Sequence, residues 1–118
     1  MIFKTKFLTI LLSSLFLINS YQSHNALKLY NQKLKIVRDR LNNKPWQSLG
    51  EVKDAITFLE EITEITSHSN GNYFGRYAPT EEDYTNWKNW LKKNKSRLYW
   101  DEKDQKVKVK DQSKAVKN

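Results

Sequence analysis

Residues 58–100, FLEEITEITSHSNGNYFGRYAPTEEDYTNWKNWLKKNKSRLYW, decide the fold of this 118-residue chain. The stretch begins in a segment with helical apolar spacing and passes through a glycine-bearing aromatic loop. At Pro79-Thr80 it enters a second helical segment, and it ends on an extended Leu-Tyr-Trp sequence. We therefore predict a helix, a loop, a capped helix and a short strand, in that order.

The helix that enters this stretch starts at a capping signal. Ser48-Leu49-Gly50-Glu51 matches the Ser-x-x-Glu box, in which both side chains bond to free amides at a helix start. We predict that this helix covers residues 49–65. Its apolar arc is wider than one neighbouring helix covers, which places it centrally. The arc comprises Leu49, Val52, Ala55, Ile56, Phe58, Leu59, Ile62 and Ile65.

The next helix has the clearest local signal. Thr80 is its N-cap, and three acidic residues follow at the positive end of the helix dipole. We predict that it runs to residue 94, where lysines suit the negative end. Its apolar face is expected to be core, and the alternative, a sugar-stacking platform, needs both tryptophan rings exposed. That face comprises Tyr84, Trp87, Trp90 and Leu91.

The flanking segments complete a mainly α fold, a three-helix unit with a small C-terminal β-hairpin. Residues 25–42 have apolar side chains at helical spacing and predict a helix that ends before Pro45. We expect Trp46 to fold back onto the helices. Lysine and valine alternate over residues 106–109, which predicts a strand paired with residues 98–100. The stripe of the first helix is Ala26, Leu27, Tyr30, Leu34, Val37 and Leu41.

The N-terminus has the pattern of an export signal. Lys4 and Lys6 precede an apolar run over residues 7–18, which predicts a signal peptide over residues 1–20; a buried N-terminal helix is the alternative. The run is shorter than the roughly 20 residues that span a bilayer, so no transmembrane segment is expected after signal removal. We predict an exported protein, periplasmic or secreted, with a single small helical domain over residues 21–110.

The basic charge is concentrated near the C-terminus. The chain has a net charge of +8, and six of its lysines lie in residues 103–118. We predict that residues 111–118 are a disordered basic tail, with weak contact to anionic lipid or polysaccharide as a possible role. An exported protein with this distribution is not expected to bind nucleic acid. The chain has no cysteine, so it has neither a disulfide nor a lipid-modified cysteine.

The residue types argue against an enzyme. With no cysteine, only His24 and His68 could serve as imidazole bases, and no phosphate loop, metal-spaced cluster or serine elbow is present. Glu60 and Glu64 lie one turn apart and could share a proton or a metal, but a solvated acidic face is the commoner outcome. We predict no catalytic residue, no metal site and no cofactor.

The loop over residues 66–78 holds the predicted binding residues. An Asn-Gly turn is followed by an aromatic and basic run. We expect Phe74 to enter the core, while Tyr73, Arg76 and Tyr77 form a small recognition surface. Tyrosine and arginine are enriched at such contact sites.

One set of motifs runs through the second half of the chain. It consists of Phe-Leu-Glu-Glu-Ile-Thr (58–63), a glycine-bearing loop, Pro79-Thr80, Asp83, Trp87-x-x-Trp90, Asn94, Leu98 and Trp100. This arrangement, over about residues 50–103, resembles uncharacterised exported bacterial proteins and the terminal helical units of HEAT-like repeat proteins. The resemblance implies a helical packing unit that binds protein, without catalytic residues. Glu64 stands where the pattern has glycine, so the helix is expected to run further here.

Together these features predict a small, exported, non-catalytic protein that binds a protein or glycan partner in the bacterial envelope. Two alternatives stay open. One is a carbohydrate-binding module that uses Trp87, Trp90 or Tyr77 as stacking platforms. The other is an immunity or inhibitor protein that neutralises a toxin.

Overall fold

The computed structural model describes residues 23–68 and 77–111, and this part of the chain is mainly helical. Three helices precede a two-stranded antiparallel hairpin, which confirms the predicted fold class. A 3₁₀ turn, Lys95–Arg97, joins the last helix to the hairpin. The elements are α1 (residues 23–41), α2 (Leu49–Thr63), α3 (Glu81–Asn94), β1 (Leu98–Asp101) and β2 (Lys106–Val109).

Both chain ends lie largely outside this description. The predicted signal peptide, residues 1–20, is outside the described residues, and so is the predicted tail beyond Asp111. Among the helices that are described, none has the length and apolar character needed to cross a membrane.

Helices α1 and α3 lie side by side and run in opposite directions. Near the C-terminal end of α1, Arg38 Nη1 lies 2.9 Å from Glu81 Oε1 at the start of α3. The same guanidinium lies 4.0 Å from the centroid of the Tyr84 ring. Further along, the buried Tyr30 hydroxyl donates to the Trp87 carbonyl oxygen at 2.7 Å. Later residues of α1 thus meet earlier residues of α3, as antiparallel packing requires.

The core lies where α1 and α3 face α2. The Tyr30 ring stacks on Trp90 with centroids 5.7 Å apart, and its edge contacts Phe58 of α2 at 6.1 Å. Each large side chain removed from water here contributes about 1.5–3 kcal/mol. The periodic stripes predicted for the three helices account for most of this cluster. Residues with no exposed area are Ala26, Tyr30, Val37, Val52, Ala55, Ile56, Leu59 and Trp87.

Helix α2 has the predicted start and an earlier end than predicted. The Ser48 hydroxyl accepts a hydrogen bond from the Glu51 N–H at 3.1 Å. The helix ends at Thr63, because Glu64 adopts a left-handed conformation with φ of 59°. The prediction that the helix runs further without a glycine is therefore wrong. Glu64 takes the conformation that glycine favours at a helix C-terminus, at a cost of about 1 kcal/mol.

Two side chains predicted to be in the core are exposed. Trp46 is 67% exposed and Leu49 is 54% exposed. In the connection between α1 and α2, Gln47 is the side chain that turns inward, and its Nε2 donates to the Ile36 carbonyl at 2.7 Å. Trp46 consequently points outward, and the Lys44 ammonium lies 5.4 Å from its ring centroid.

The hairpin extends the core at the end of α3. The predicted pairing of residues 98–100 with residues 106–109 is present, with Leu98 opposite Val109 and Trp100 opposite Val107, and it continues one residue past Trp100. Leu98 and Val107 are buried in the helical cluster. Lys108 Nζ lies 2.6 Å from Asp101 Oδ2 and also bonds to Asp104. These contacts raise the pKa of Lys108.

Candidate functional site

A groove runs between α1 and α3, and no residue of α2 lines it. Its central part is a cavity of about 460 Å³. A second cavity of about 450 Å³ continues the groove toward Ser23 and His24 at the described start of α1, and a third of about 470 Å³ adjoins it along α1 alone. Leu27 lines all three cavities, so they form one continuous surface.

The two helices build this groove from matched rows of side chains. Each row repeats at i, i+4, i+7 and i+11, which keeps its members on one edge of the helix. The first and last members of a row lie 11 positions apart, which is about 16 Å along the helix axis. The rows are Leu27, Asn31, Leu34 and Arg38 on α1, and Tyr84, Lys88 and Leu91 on α3 with Lys95 at the start of the 3₁₀ turn that follows.

The floor of the groove is apolar and only partly covered. Leu34 is nearly buried, whereas Leu27, Tyr84 and Leu91 are of intermediate exposure. Tyr84 and Leu91 pack at the margin of the core cluster, and no residue of α2 lines the groove on this side. The groove therefore offers apolar area to a ligand without any rearrangement of the core.

The rim of the groove is basic. Two rim residues have acidic partners that do not themselves line the groove. Lys35 Nζ lies 2.7 Å from Asp39 Oδ2, and Arg38 Nη1 lies 2.9 Å from Glu81 Oε1. All 13 acidic residues of the chain fall within residues 23–68 and 77–111, yet none lines the three cavities. Among the described residues, the other rim lysines form no ion pair with an Asp or Glu side chain. The basic lining residues are Lys28, Lys35, Arg38, Lys88, Lys92, Lys93 and Lys95.

The groove is closed at one end by Arg38. Its guanidinium bonds to Glu81 and covers the Tyr84 ring, while the Lys88 ammonium lies 5.9 Å from the same ring centroid. The hydrogen bond to Glu81 raises the pKa of Arg38 further above its ordinary value. At this end Glu81 compensates the charge of Arg38, whereas Lys92, Lys93 and Lys95 toward the other end have no carboxylate partner among the described residues.

The residues predicted to bind from the loop are only partly described. Tyr73, Phe74 and Arg76 lie outside the described residues. Tyr77 is partly buried and packs against the core cluster. The binding role assigned to Tyr73, Arg76 and Tyr77 stays a prediction.

The tryptophan pair of α3 is turned inward. Trp87 has no exposed area, and its indole N–H donates to the Ile65 carbonyl at 3.2 Å. Trp90 is partly exposed but stacks on Tyr30 inside the protein. The predicted core role of Trp87 is confirmed, and its ring is not accessible for stacking on a sugar.

A buried carboxylate ties the start of α3 to the segment after α2. Asp83 is 1% exposed and closes a capping box with Thr80. Its Oδ1 also accepts from the His68 backbone N–H at 2.9 Å and lies 2.8 Å from His68 Nδ1. Burial acts to raise the pKa of Asp83, but these hydrogen bonds outweigh it and lower the pKa. The bond to Asp83, assisted by Glu82, raises the pKa of His68.

Two glutamates at the end of α2, Glu60 and Glu64, also contribute to the segment that follows this helix. Glu60 Oε2 accepts a hydrogen bond from the Ser67 backbone N–H at 2.7 Å. Glu64 occupies the left-handed position that ends the helix. Within the described ranges, no group of three or more His, Asp or Glu side chains is arranged to hold a metal ion.

Sequence reasoning missed the groove. It assigned Lys92, Lys93 and Lys95 to the negative end of the α3 dipole and placed the basic charge in the tail. A usable signal was present, because Lys88, Lys92 and Lys95 recur at i, i+4 and i+7 beside Leu91. Recognising a shared rim also required knowing that α1 lies antiparallel beside α3.

Neither a family model, nor a curated protein, nor a solved structure matches this chain. The function is therefore inferred from the geometry and charge of the groove.

Proposed function

We propose that this is a small, exported, non-catalytic protein that binds another macromolecule in the bacterial envelope, and that the α1–α3 groove is its binding face. The observation that supports this most strongly is the combination of a partly exposed apolar floor with a basic rim that no carboxylate lines. Concave, mostly apolar surfaces with a few placed polar groups are typical of binding sites.

Energetics favour covering this groove. Each Å² of apolar floor removed from water contributes about 25 cal/mol. Rim lysines such as Lys92 and Lys95, which form no ion pair within residues 23–68 and 77–111, would gain counter-charges from an anionic partner. Electrostatic attraction would also speed encounter with that partner. One surface thus supplies both the attraction and the apolar area needed for binding.

Export is supported by the N-terminal sequence. Lys4 and Lys6 followed by the apolar run at residues 7–18 have the charge and length of a signal peptide. A mature chain without cysteine is compatible with an envelope compartment, where free thiols would be oxidised.

The groove favours a protein partner over a glycan. Sugar binding by stacking needs an exposed aromatic face, but Trp87 is buried and Trp90 is stacked on Tyr30. Tyr84, the aromatic residue in the groove floor, is covered by the Arg38 guanidinium. An immunity or inhibitor protein would be one form of such a binder, with a toxin as its partner.

Photo-cross-linking in living cells tests the binding face. Benzoylphenylalanine replaces Lys88 or Lys92 in the groove, and Lys53 on the exposed side of α2 serves as the matched control. We expect discrete protein adducts from the two groove positions and none from position 53. Adducts from a probe at Tyr77 alone, or equal adducts at all positions, would overturn the groove as the binding face.

Cell fractionation tests the export part of the proposal. We expect the mature protein in the envelope fraction, with an N-terminus created by cleavage near residue 20. A protein that keeps Met1 and stays in the cytoplasm would overturn it.

A further inference from the structure

Building on the proposed function, we infer that the occupant of the α1–α3 groove is an acidic amphipathic α-helix of a partner protein. Such a helix would place an apolar stripe on the leucine floor and acidic residues against the lysines of both rims. The proposal follows from the shape of the groove, the spacing of its floor and the distribution of its charges.

The shape fits a helix. Two antiparallel helices leave a straight trough along their line of contact, and a third helix can lie in it at the usual interaxial distance of about 8–10 Å. Leu27 and Leu34 of the floor lie seven positions apart on α1, which is about 10 Å or two helical turns. Leu27 and Leu34 on one side, with Leu91 on the other, supply apolar contacts at one- to two-turn intervals. Helix-in-groove recognition uses this spacing of anchors.

The charges define the flanks of that helix. On the α1 side the rim has Lys28 and Lys35, and on the α3 side it has Lys88, Lys92 and Lys95. Since positive charge borders the floor on both sides, the complementary helix has Glu or Asp on both edges of its apolar stripe. A helix with lysines there would bring like charges together, which disfavours binding by several kcal/mol.

Other anionic partners use less of the surface. A flat anionic bilayer can meet the lysines of the rim, but a concave floor keeps leucines such as Leu27 and Leu34 away from it. Nucleic-acid phosphates would also pair with the rim and leave the apolar floor uncovered. A second copy of this chain offers the acidic outer face of α2, but the apolar residues of α2 after Leu49 are turned toward its own core.

A peptide titration tests the inference directly. The probe is a fluorescein-labelled, alanine-based 20-residue peptide with leucines at i, i+3, i+4 and i+7 and glutamates on both edges of that stripe. One control peptide has lysine in place of every glutamate, and another has the same composition with the leucines scattered around the helix. Fluorescence anisotropy against the mature protein measures binding. We expect the acidic amphipathic peptide to bind and both controls to bind at least about tenfold more weakly.

Two variants separate the rim from the floor. Lys88→Glu/Lys92→Glu reverses rim charges, and Lys53→Glu/Lys103→Glu is the matched control with the same net change at exposed sites outside the groove. Leu27→Gln removes apolar area from the floor and leaves the charge unchanged. We expect each groove variant to weaken peptide binding about tenfold and the control to change it less than about twofold. Circular dichroism verifies that all variants keep the helical fold.

The outcomes distinguish this inference from the proposed function. Groove cross-links to protein in cells, combined with no preference for the acidic amphipathic peptide, would overturn the helix inference and leave the binding face standing. The inference would also be overturned if the protein bound anionic phosphatidylglycerol vesicles or a 20-base-pair DNA duplex but not the peptide, and if Leu27→Gln left that binding unchanged. Self-association that the rim reversal abolishes would replace the partner helix by a second copy.

Discussion

Helices α1 and α3 present two sides, and the sides differ in what covers them. On one side α2 packs over Tyr30, Trp87 and Val37, which have no exposed area. On the other side, Leu27 and Leu91 line an open groove whose rim is basic. The apolar stripes of the same two helices, α1 and α3, supply the side chains on both sides. The comparison shows that part of an apolar stripe stays uncovered when the stripe is wider than the area that the neighbouring helix covers. In this protein, lysines border the uncovered apolar margin.

The largest expected effect contrasts Trp87 with Leu91, on the covered and open sides of the same helix. Trp87→Ala opens a cavity in the core and removes the bond to Ile65, so we expect a loss of about 3–5 kcal/mol in the free energy of unfolding. Leu91→Ala removes a partly exposed side chain and should cost about 1 kcal/mol. Urea denaturation followed by circular dichroism measures both.

Trp46→Ala is the chemical control for that contrast. The ring is 67% exposed, so the same substitution should cost less than about 1 kcal/mol. An equal loss at Trp87 and Leu91 would mean that the groove floor is part of the core, and the distinction between the two sides would be wrong.

A second prediction sharpens the polar link inside the covered side. Tyr30→Phe keeps the ring stacked on Trp90 and removes the hydroxyl that donates to the Trp87 carbonyl. We expect a loss of about 1 kcal/mol, the usual net value of a buried hydrogen bond. Tyr99→Phe, on the hairpin, is the matched control and should be nearly neutral. Thermal unfolding compares them, and equal melting temperatures for the two variants would argue against a stabilising bond.

A third prediction concerns the end of the helix that covers the core. Glu64 has a φ of 59°, and glycine adopts this conformation without a steric cost. We expect Glu64→Gly to stabilise the protein by about 0.5–1 kcal/mol and Glu64→Ala to give no such gain. Chemical denaturation of both variants provides the measurement. Destabilisation by glycine would show that the left-handed turn is not a source of strain.

The smallest expected effect is a pH dependence at the junction between α2 and α3. The pKa of His68 is raised above its ordinary 6.5 by Asp83, so its stabilisation is complete below the unfolded pKa and is lost as the pH rises through the folded pKa. The lowered pKa of Asp83 acts in the opposite sense, since its contribution is lost as the pH falls through that value. The pair is therefore strongest between the two folded pKa values.

His68→Ala tests this pH dependence, because it keeps the backbone N–H bond to Asp83. We expect its melting temperature to fall below that of the wild type at pH 6 and to approach it at pH 9. His24→Ala, on an exposed residue of α1, is the control. NMR titration should also place the pKa of His68 above 6.5, and a value below 6.5 would contradict the geometry.

Local patterns predicted much of the fold. The caps at Ser48 and Thr80 and the alternation at residues 106–109 act over a few residues, so they can be recognised without a tertiary structure. Predictions about the surroundings of single side chains were less successful. Trp46 was expected in the core, but Gln47 takes the inward position beside it. A glutamate at position 64 was expected to extend α2, but tertiary contacts at Ser67 and His68 hold the turn.

The sequence by itself determined three helices, the N-caps of α2 and α3, the hairpin and the residues at the centre of each apolar stripe, because those features depend on periodicity and short-range hydrogen bonds. Only the tertiary structure decided which margins of the stripes stay open. The groove exists because Leu27 and Leu91, 64 positions apart in the chain, meet across two antiparallel helices on a side that α2 does not cover. Long-range packing also gathered the lysines of α1 and α3 into one rim, which neither helix shows alone.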